Sequence, residues 1–179
     1  MSILDPAPWR TDRLAIRPVE LGDSAAITAY ASDPEVVRYL VFPIHTSPVE
    51  ADEFLLAAVE RNARPGADRT LLLVRAADGM AVGTFSIRPG GGRVEIGYVI
   101  ARPFWNHGYA TEALRESIRL LLAEPGIHRV EALHDIDNTA SGRVMAKAGM
   151  SREGVLRRYA IHPNVSTEPR DVVLYAAVR

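Results

Sequence analysis

The stretch Phe104-Trp105-Asn106-His107-Gly108-Tyr109-Ala110-Thr111-Glu112 carries the residue types best arranged for chemistry in this 179-residue chain. An apolar, strand-like run, Val94-Glu95-Ile96-Gly97-Tyr98-Val99-Ile100, leads into it. An amphipathic run leads out, with Ala110, Ala113, Leu114, Ile118, Leu121 and Leu122 at helical spacing. The order is strand, turn, helix, with a glycine at the turn. A helix that begins there leaves its first N–H groups without intrahelical acceptors, and the helix dipole adds partial positive charge. Such a terminus holds phosphate or pyrophosphate. No acidic residue lies between Trp105 and Thr111 to repel an anion. The bland alternative is that Gly108 only lets the chain turn into a core helix. The stretch is neither the nucleotide loop ending in Gly-Lys-Ser/Thr nor a Gly-x-Gly-x-x-Gly turn.

Composition narrows the chemistry further. The chain has no cysteine, which excludes disulfides, thiolate nucleophiles and cysteine-based metal sites. Its five histidines, at 45, 107, 128, 134 and 162, lack close ligand spacing, so no metal is expected. A net charge of −1 gives no overall pull toward nucleic acid or an anionic membrane, and neither is expected as a partner. A hydrophobic fraction of 47% suits an ordinary globule, and the length suits one domain over 1–179. Met1-Ser2-Ile3-Leu4-Asp5-Pro6 reads neither as a signal peptide nor as a membrane span, and a cytoplasmic location is the expectation. Lys147 is the only lysine, a usage attributed to genomic bias.

The elements around the turn follow from pattern. Thr11 to Val19 alternates, with Leu14 and Ile16 facing one way, and reads as a first strand stopped by Pro18. Asp23 is placed to cap a helix through Ala25, Ala26, Ile27 and Tyr30, and a short turn follows Asp33-Pro34. Ser47-Pro48-Val49-Glu50 forms a capping box that starts a helix ending before Arg64-Pro65-Gly66. Then strands dominate. Thr70 to Ala76 and Met80 to Arg88 flank an Asp78-Gly79 turn, and Gly90-Gly91-Gly92 leads into Arg93 to Ile100. Three antiparallel strands therefore precede the anion-type turn. Its helix ends at Pro125-Gly126. Arg129 to His134 is a strand, and Asp137 or Asn138 caps a helix ending near Ala148-Gly149. Ser151 to Ile161 and Asp171 to Val178 are the last strands, joined by the loop Pro163 to Pro169.

These blocks, in this order, resemble the GCN5-related N-acetyltransferases, in the branch of ribosomal-protein N-terminal acetyltransferases. The family turn, Gln/Arg-x-x-Gly-x-Gly/Ala, stands here as Trp105-Asn106-His107-Gly108-Tyr109-Ala110 and runs on into Thr111-Glu112-Ala113-Leu114. Glu95-Ile96-Gly97-Tyr98, Asn138-Thr139-Ala140-Ser141, Gly149-Met150, Glu153-Gly154-Val155-Leu156-Arg157 and Arg170-Asp171 to Tyr175 match further blocks. Trp105 departs from the usual Gln/Arg and Asn106 from a frequent glycine; His107 is placed to add a side-chain contact, and Trp105 reads equally as a buried or rim aromatic.

The resemblance implies an α/β fold. Its central sheet has about six to seven strands of mixed, mostly antiparallel direction, flanked by helices. Its fourth and fifth strands are parallel and splay apart around acetyl-CoA, which serves as co-substrate. It implies that Val99, Ile100 and Ala101 offer backbone groups to the pantetheine arm. It also implies that Asn106, His107, Gly108, Tyr109, Ala110 and Thr111 hold the pyrophosphate, and that Asn138 bonds the arm beyond its N-cap role. Arg143 and Lys147 face either the cofactor phosphates or solvent. The activity implied is acetyl transfer to a primary amine, a protein N-terminus or a small molecule, with a homodimer left open. A non-catalytic CoA-binding sensor on the same fold is the alternative.

Acetyl transfer to an amine requires removal of its proton, because α-amino groups and lysines are mostly cationic at neutral pH. Glu95, on the strand before the turn, is the candidate base by resemblance, with burial or a water relay assisting. The other reading is a strand glutamate paired with an arginine; His134, ending the next strand, is the alternative base. Many family members carry a tyrosine as acid where Met145 stands. Ser141, one helical turn earlier, is the candidate to hydrogen-bond the departing thiolate, unless it only bonds a backbone carbonyl and solvent protonates the thiolate.

Overall fold

The computed structural model of the chain describes residues 9–179. Met1 to Pro6, where no leader or membrane segment is expected, lies outside them. Eight strands form one sheet in the order β1-β2-β3-β4-β5-β6-β8-β7. The strands are β1 (Trp9–Arg10), β2 (Leu14–Pro18), β3 (Arg69–Arg75), β4 (Ala81–Gly90), β5 (Arg93–Ile100), β6 (Arg129–Asp135), β7 (Ser151–Ala160) and β8 (Arg170–Val178). The helices are α1 (Ser24–Ala31), α2 (Pro34–Val37), α3 (Pro48–Asn62), α4 (Tyr109–Ala123) and α5 (Thr139–Lys147). The expected count of six to seven strands is exceeded by β1, a two-residue edge pairing Trp9 with Ile16 and Arg10 with Ala15. All neighbours are antiparallel except β5 and β6.

Local chemistry fixes most boundaries. The Ser47 hydroxyl accepts from Val49 N–H at 3.3 Å, Glu50 answers to Ser47 N–H at 3.2 Å, and Pro48 fills the first turn of α3. Asp23 stands before α1, but its carboxylate does not cap the helix. It accepts instead from the Arg17 guanidinium at 2.7 and 2.8 Å and from Glu20 N–H, because a bidentate charged partner outbids a single amide. Between Asp137 and Asn138 the cap of α5 falls to Asn138, whose side chain accepts from Ser141 N–H at 3.2 Å.

The core lies on both faces of the sheet. Leu14, Ile16, Leu73, Phe85, Ile87, Leu114 and Leu121 are fully buried. Each such side chain contributes about 1.5–3 kcal/mol of burial free energy. The face carrying Tyr98, His134 and Tyr175 packs under α5, as the 2.7 Å contact from Tyr98 to Ser141 and the close approach of His134 to Gly142 demonstrate. The opposite face carries the cross-strand partners Thr84/Val99, Ser86/Gly97 and Arg88/Glu95 and meets α1 through a 3.0 Å bond between Thr84 and the Tyr30 hydroxyl. Met145 is 1% exposed, so the position the family gives to a tyrosine is here a core position.

Candidate active site

The gap is built by one interrupted ladder. β5 and β6 pair in parallel from Arg93/Arg129 to Ile96/Ala132 and no further. Beyond that point β5 stays paired with β4 as far as Ile100, and β6 with β8 as far as Asp135. The two strands therefore separate at their carboxyl ends while each remains held on its outer side. The Gly91-Gly92 hairpin turn joins Gly90 to Arg93 and sets which residues face which neighbour. Ala101 N–H donates to Val82 C=O at 2.9 Å. An added Cβ on Gly83 would meet the Val99 carbonyl oxygen at 1.9 Å. Alternation along the ladder then turns the backbone groups of Val99 and Ala101 toward β4 and those of Tyr98 and Ile100 toward the gap. Of the three consecutive residues expected to serve the gap with backbone groups, Ile100 does so through its N–H. Its C=O is already taken by the Trp105 indole N–H at 2.7 Å.

The start of α4 lies where β5 ends. Gly108 has φ +81° and Asn106 φ +62°, both left-handed. Asn tolerates that region better than other side chains, which accounts for its standing where the family often has glycine. Gly108 C=O accepts from Glu112 N–H at 3.0 Å, while the N–H groups of Tyr109, Ala110 and Thr111 meet no acceptor among the described residues. These donors sit beside two left-handed residues, in the kind of concavity that binds anions. Arg13 braces the turn from β2's edge: its guanidinium reaches His107 C=O at 3.0 Å and Glu112 at 2.6 Å and lies over the Tyr109 ring. His107 stacks on Tyr109, and its Nδ1 bonds Trp105 C=O at 2.8 Å.

A cavity of about 590 Å³ opens on the gap. Glu95, Tyr98, Val99, His134, Asn138 and Ser141 all line it, so the structure brings the candidate catalytic residues together with Val99 and Asn138 of the expected arm-binding set; Ile100 and Ala101 are not in its lining. Glu95 Oε1 is 2.6 Å from Arg88 Nη1, the strand-pair arrangement weighed against catalysis. Both roles fit, because Oε2 has no partner among the described residues. Ser141 Oγ is 2.7 Å from the Tyr98 hydroxyl, which also donates to Ser141 C=O at 3.1 Å. Burial pushes the Tyr98 phenol well above the ordinary tyrosine value, so it stays protonated. His134 is 9% exposed under Gly142, its Nδ1 bonded to Asp135 C=O at 2.8 Å. Burial lowers its pKa, outweighing the backbone bond, and keeps the ring neutral. It lies on the α5 face, whereas Glu95 lies on the other.

Two groups escaped sequence reading. Tyr98 lies within the block Glu95-Ile96-Gly97-Tyr98, and its parity in β5 aims it at α5. Asp135 is fully buried and held by Arg170 at 2.6 and 3.0 Å, with His162 Nε2 at 3.6 Å. Nothing in local pattern links residues 27 and 35 positions apart. Arg143 bonds Thr139 at 3.2 Å, and both Arg143 and Lys147 are exposed. Among the described residues no cluster of His, Asp or Glu could hold a metal ion, and no helix is long and apolar enough to cross a membrane.

The family model described as an acetyltransferase (GNAT) domain matches residues 13–151. The uncharacterized N-acetyltransferase p20 of Bacillus licheniformis is 31% identical over 152 residues, covering 83% of this chain and 85% of the relative. The crystal structure of a GNAT-family acetyltransferase from Bacillus anthracis superposes with a TM-score of 0.82 at 29% identity, covering 96% of this chain and 98% of that one. RimL, a ribosomal L7/L12 alpha-N-protein acetyltransferase in complex with coenzyme A, has a TM-score of 0.81 at 18% identity, covering 94% and 95%, and shares the fold.

Proposed function

The chain belongs to the acetyltransferase (GNAT) family, and from that premise we propose that it moves an acetyl group from acetyl-CoA to a primary amine by direct attack in a ternary complex. The observation that carries this reading is the parallel pair β5/β6 opening after Ile96/Ala132 against the left-handed start of α4. We read residues 1–179 as one catalytic domain working in the cytoplasm.

The residues present fit the co-substrate. A pantetheine arm carries amides, and the gap offers the unpaired backbone of Tyr98, the N–H of Ile100 and the Nδ2 of Asn138, whose Oδ1 alone is spent on its cap. The N–H groups of Tyr109 to Thr111, with Asn106, His107 and Gly108 shaping the turn, suit a pyrophosphate. Acetyl-CoA supplies the acyl thioester. The gap-facing N–H groups of Tyr98 and Ile100 divide the work, one pairing with the arm and the other polarising the carbonyl as charge gathers on its oxygen. Glu95 takes the proton of the acceptor ammonium, directly or through a water. Ser141 Oγ–H hydrogen-bonds the departing sulfur while Tyr98 holds that hydroxyl in place. With no cysteine in the chain, no acyl-cysteine forms.

Initial rates over a matrix of acetyl-CoA and amine concentrations, followed by thiol release and product mass, test the proposal. Intersecting double-reciprocal lines support direct attack. Parallel lines reject it, and binding without thiol release for any amine would return the chain to the sensor reading.

A further inference from the structure

Part of the cavity wall is apolar. Tyr39, Leu40, Phe42 and Phe54 line it from the N-terminal helical segment and Tyr159 from β7. Its polar groups are unevenly matched. Two carboxylates line it: Glu95 is already neutralised by Arg88 at 2.6 Å, and Asp68 is exposed in the loop before β3. Arg61, in the last turn of α3, also lines it and is half-buried. Its guanidinium makes no ion pair or side-chain hydrogen bond among the described residues. His162 lines it too, 4% exposed, with no hydrogen bond at either ring nitrogen and Nε2 3.6 Å from Asp135. Asp68 and Arg61 both lack an ion pair among the described residues, and Asp68 is exposed while Arg61 is half-buried, so the deeper of these two unmet charges is positive. A cation at the end of a helix offsets the helix dipole. That accounts for the charge of Arg61 but not for its place on the cavity wall.

Resting on the acetyl-transfer reading above, we propose that the acceptor is a single amine carrying a carboxylate on an apolar body, an amino acid or short peptide, whose carboxylate is received by Arg61. A guanidinium matches a carboxylate in a two-pronged, charge-assisted geometry. The aliphatic or aromatic body covers Phe42 and Phe54, and the amine end lies toward Glu95 and the gap. A polyamine brings several ammonium groups and would find one unneutralised carboxylate, at the rim.

The test compares leucine with leucinamide, phenylalanine with phenylalaninamide, and both pairs with spermidine, under saturating acetyl-CoA. The acid of each pair is expected to have a kcat/KM about tenfold or more above its amide, although the amide's amine deprotonates more readily. Spermidine is expected to come last. Arg61→Gln should raise KM for the acids about tenfold and close the gap between acid and amide, and Arg61→Lys should restore part of it. Equal rates for acid and amide, a preference for spermidine, or equal loss on both in Arg61→Gln would overturn the inference. Acetylation of a protein N-terminus but of none of these amines would also overturn it while leaving acetyl transfer standing. Thiol release that neither these amines nor a protein N-terminus accelerates would sink both.

Discussion

The carboxylate of Glu95 lies 2.6 Å from the guanidinium of Arg88, directly across the β4–β5 ladder and at the edge of the gap. The pair fixes one carboxylate oxygen and leaves the other to the cavity. Glu95→Gln keeps the shape and removes the proton acceptor. Turnover should fall by about 10²–10⁴, with acetyl-CoA affinity little changed. Full turnover across pH would assign the proton to solvent.

Tyr98 and Ser141 act as one unit if their 2.7 Å contact orients the serine toward sulfur. Ser141→Ala and Tyr98→Phe should each slow turnover about tenfold or more, against the roughly 10²–10⁴ that general-acid help supplies when fully used. The double variant should be little worse than either single one, because groups in one hydrogen-bonded pair are not additive. Additive losses would separate the two residues. Tyrosine at Met145 is not expected to rescue Ser141→Ala, since that side chain is 1% exposed in the core and a larger one overpacks it.

An added Cβ on Gly108, at φ +81°, would meet Arg13 Nη2 at 3.5 Å, an ordinary contact with the end of a flexible side chain. The cost of Gly108→Ala is therefore conformational, about 1–2 kcal/mol. Calorimetry should register it as acetyl-CoA binding weakened about tenfold, while Asn106→Gly binds as well as the parent. In the parent, acetyl-CoA at a hundredfold its Kd should add about 2.7 kcal/mol of stability.

Acid should destabilise the fold in two windows. Burial depresses the pKa of His134, so the unfolded chain takes up that proton first, and stability declines as pH falls from about 6.5. Burial raises Asp135, but the bonds from Arg170 and Asp137 N–H and the nearby charges override it and leave the carboxyl below its usual value. Its contribution is complete above about pH 3.9 and is lost as pH falls through the depressed value. His134→Asn should abolish the upper window in denaturant titrations across pH; an unchanged curve would deny His134 that role.

Much of this was legible in sequence because the signals are local. Ser47-Pro48-Val49-Glu50 starts a helix by its own hydrogen bonds, and Gly90-Gly91-Gly92 closes a hairpin by backbone freedom alone. The same hairpin carried an unread message. Its length decides that Tyr98 and Ile100, rather than Val99 and Ala101, turn their amides to the gap. The pairings of Arg13 with Glu112 and Arg170 with Asp135 were not legible, since they join segments 99 and 35 residues apart whose meeting only the folded sheet determines. The strand Trp9–Arg10 was missed for the opposite reason: two residues hold no period.

The ladder between β5 and β6 spans only Arg93–Ile96 and Arg129–Ala132, and mechanically it is a seam. Five strands lie on one side of it and three on the other. A ligand whose amides bridge Tyr98 and Ile100 to the β6 side would extend the seam toward the carboxyl ends and act as a strand lent to the sheet. Amide hydrogens there should exchange freely in the empty protein and become protected on loading, so that the two plates move as one body only while the co-substrate is held between them.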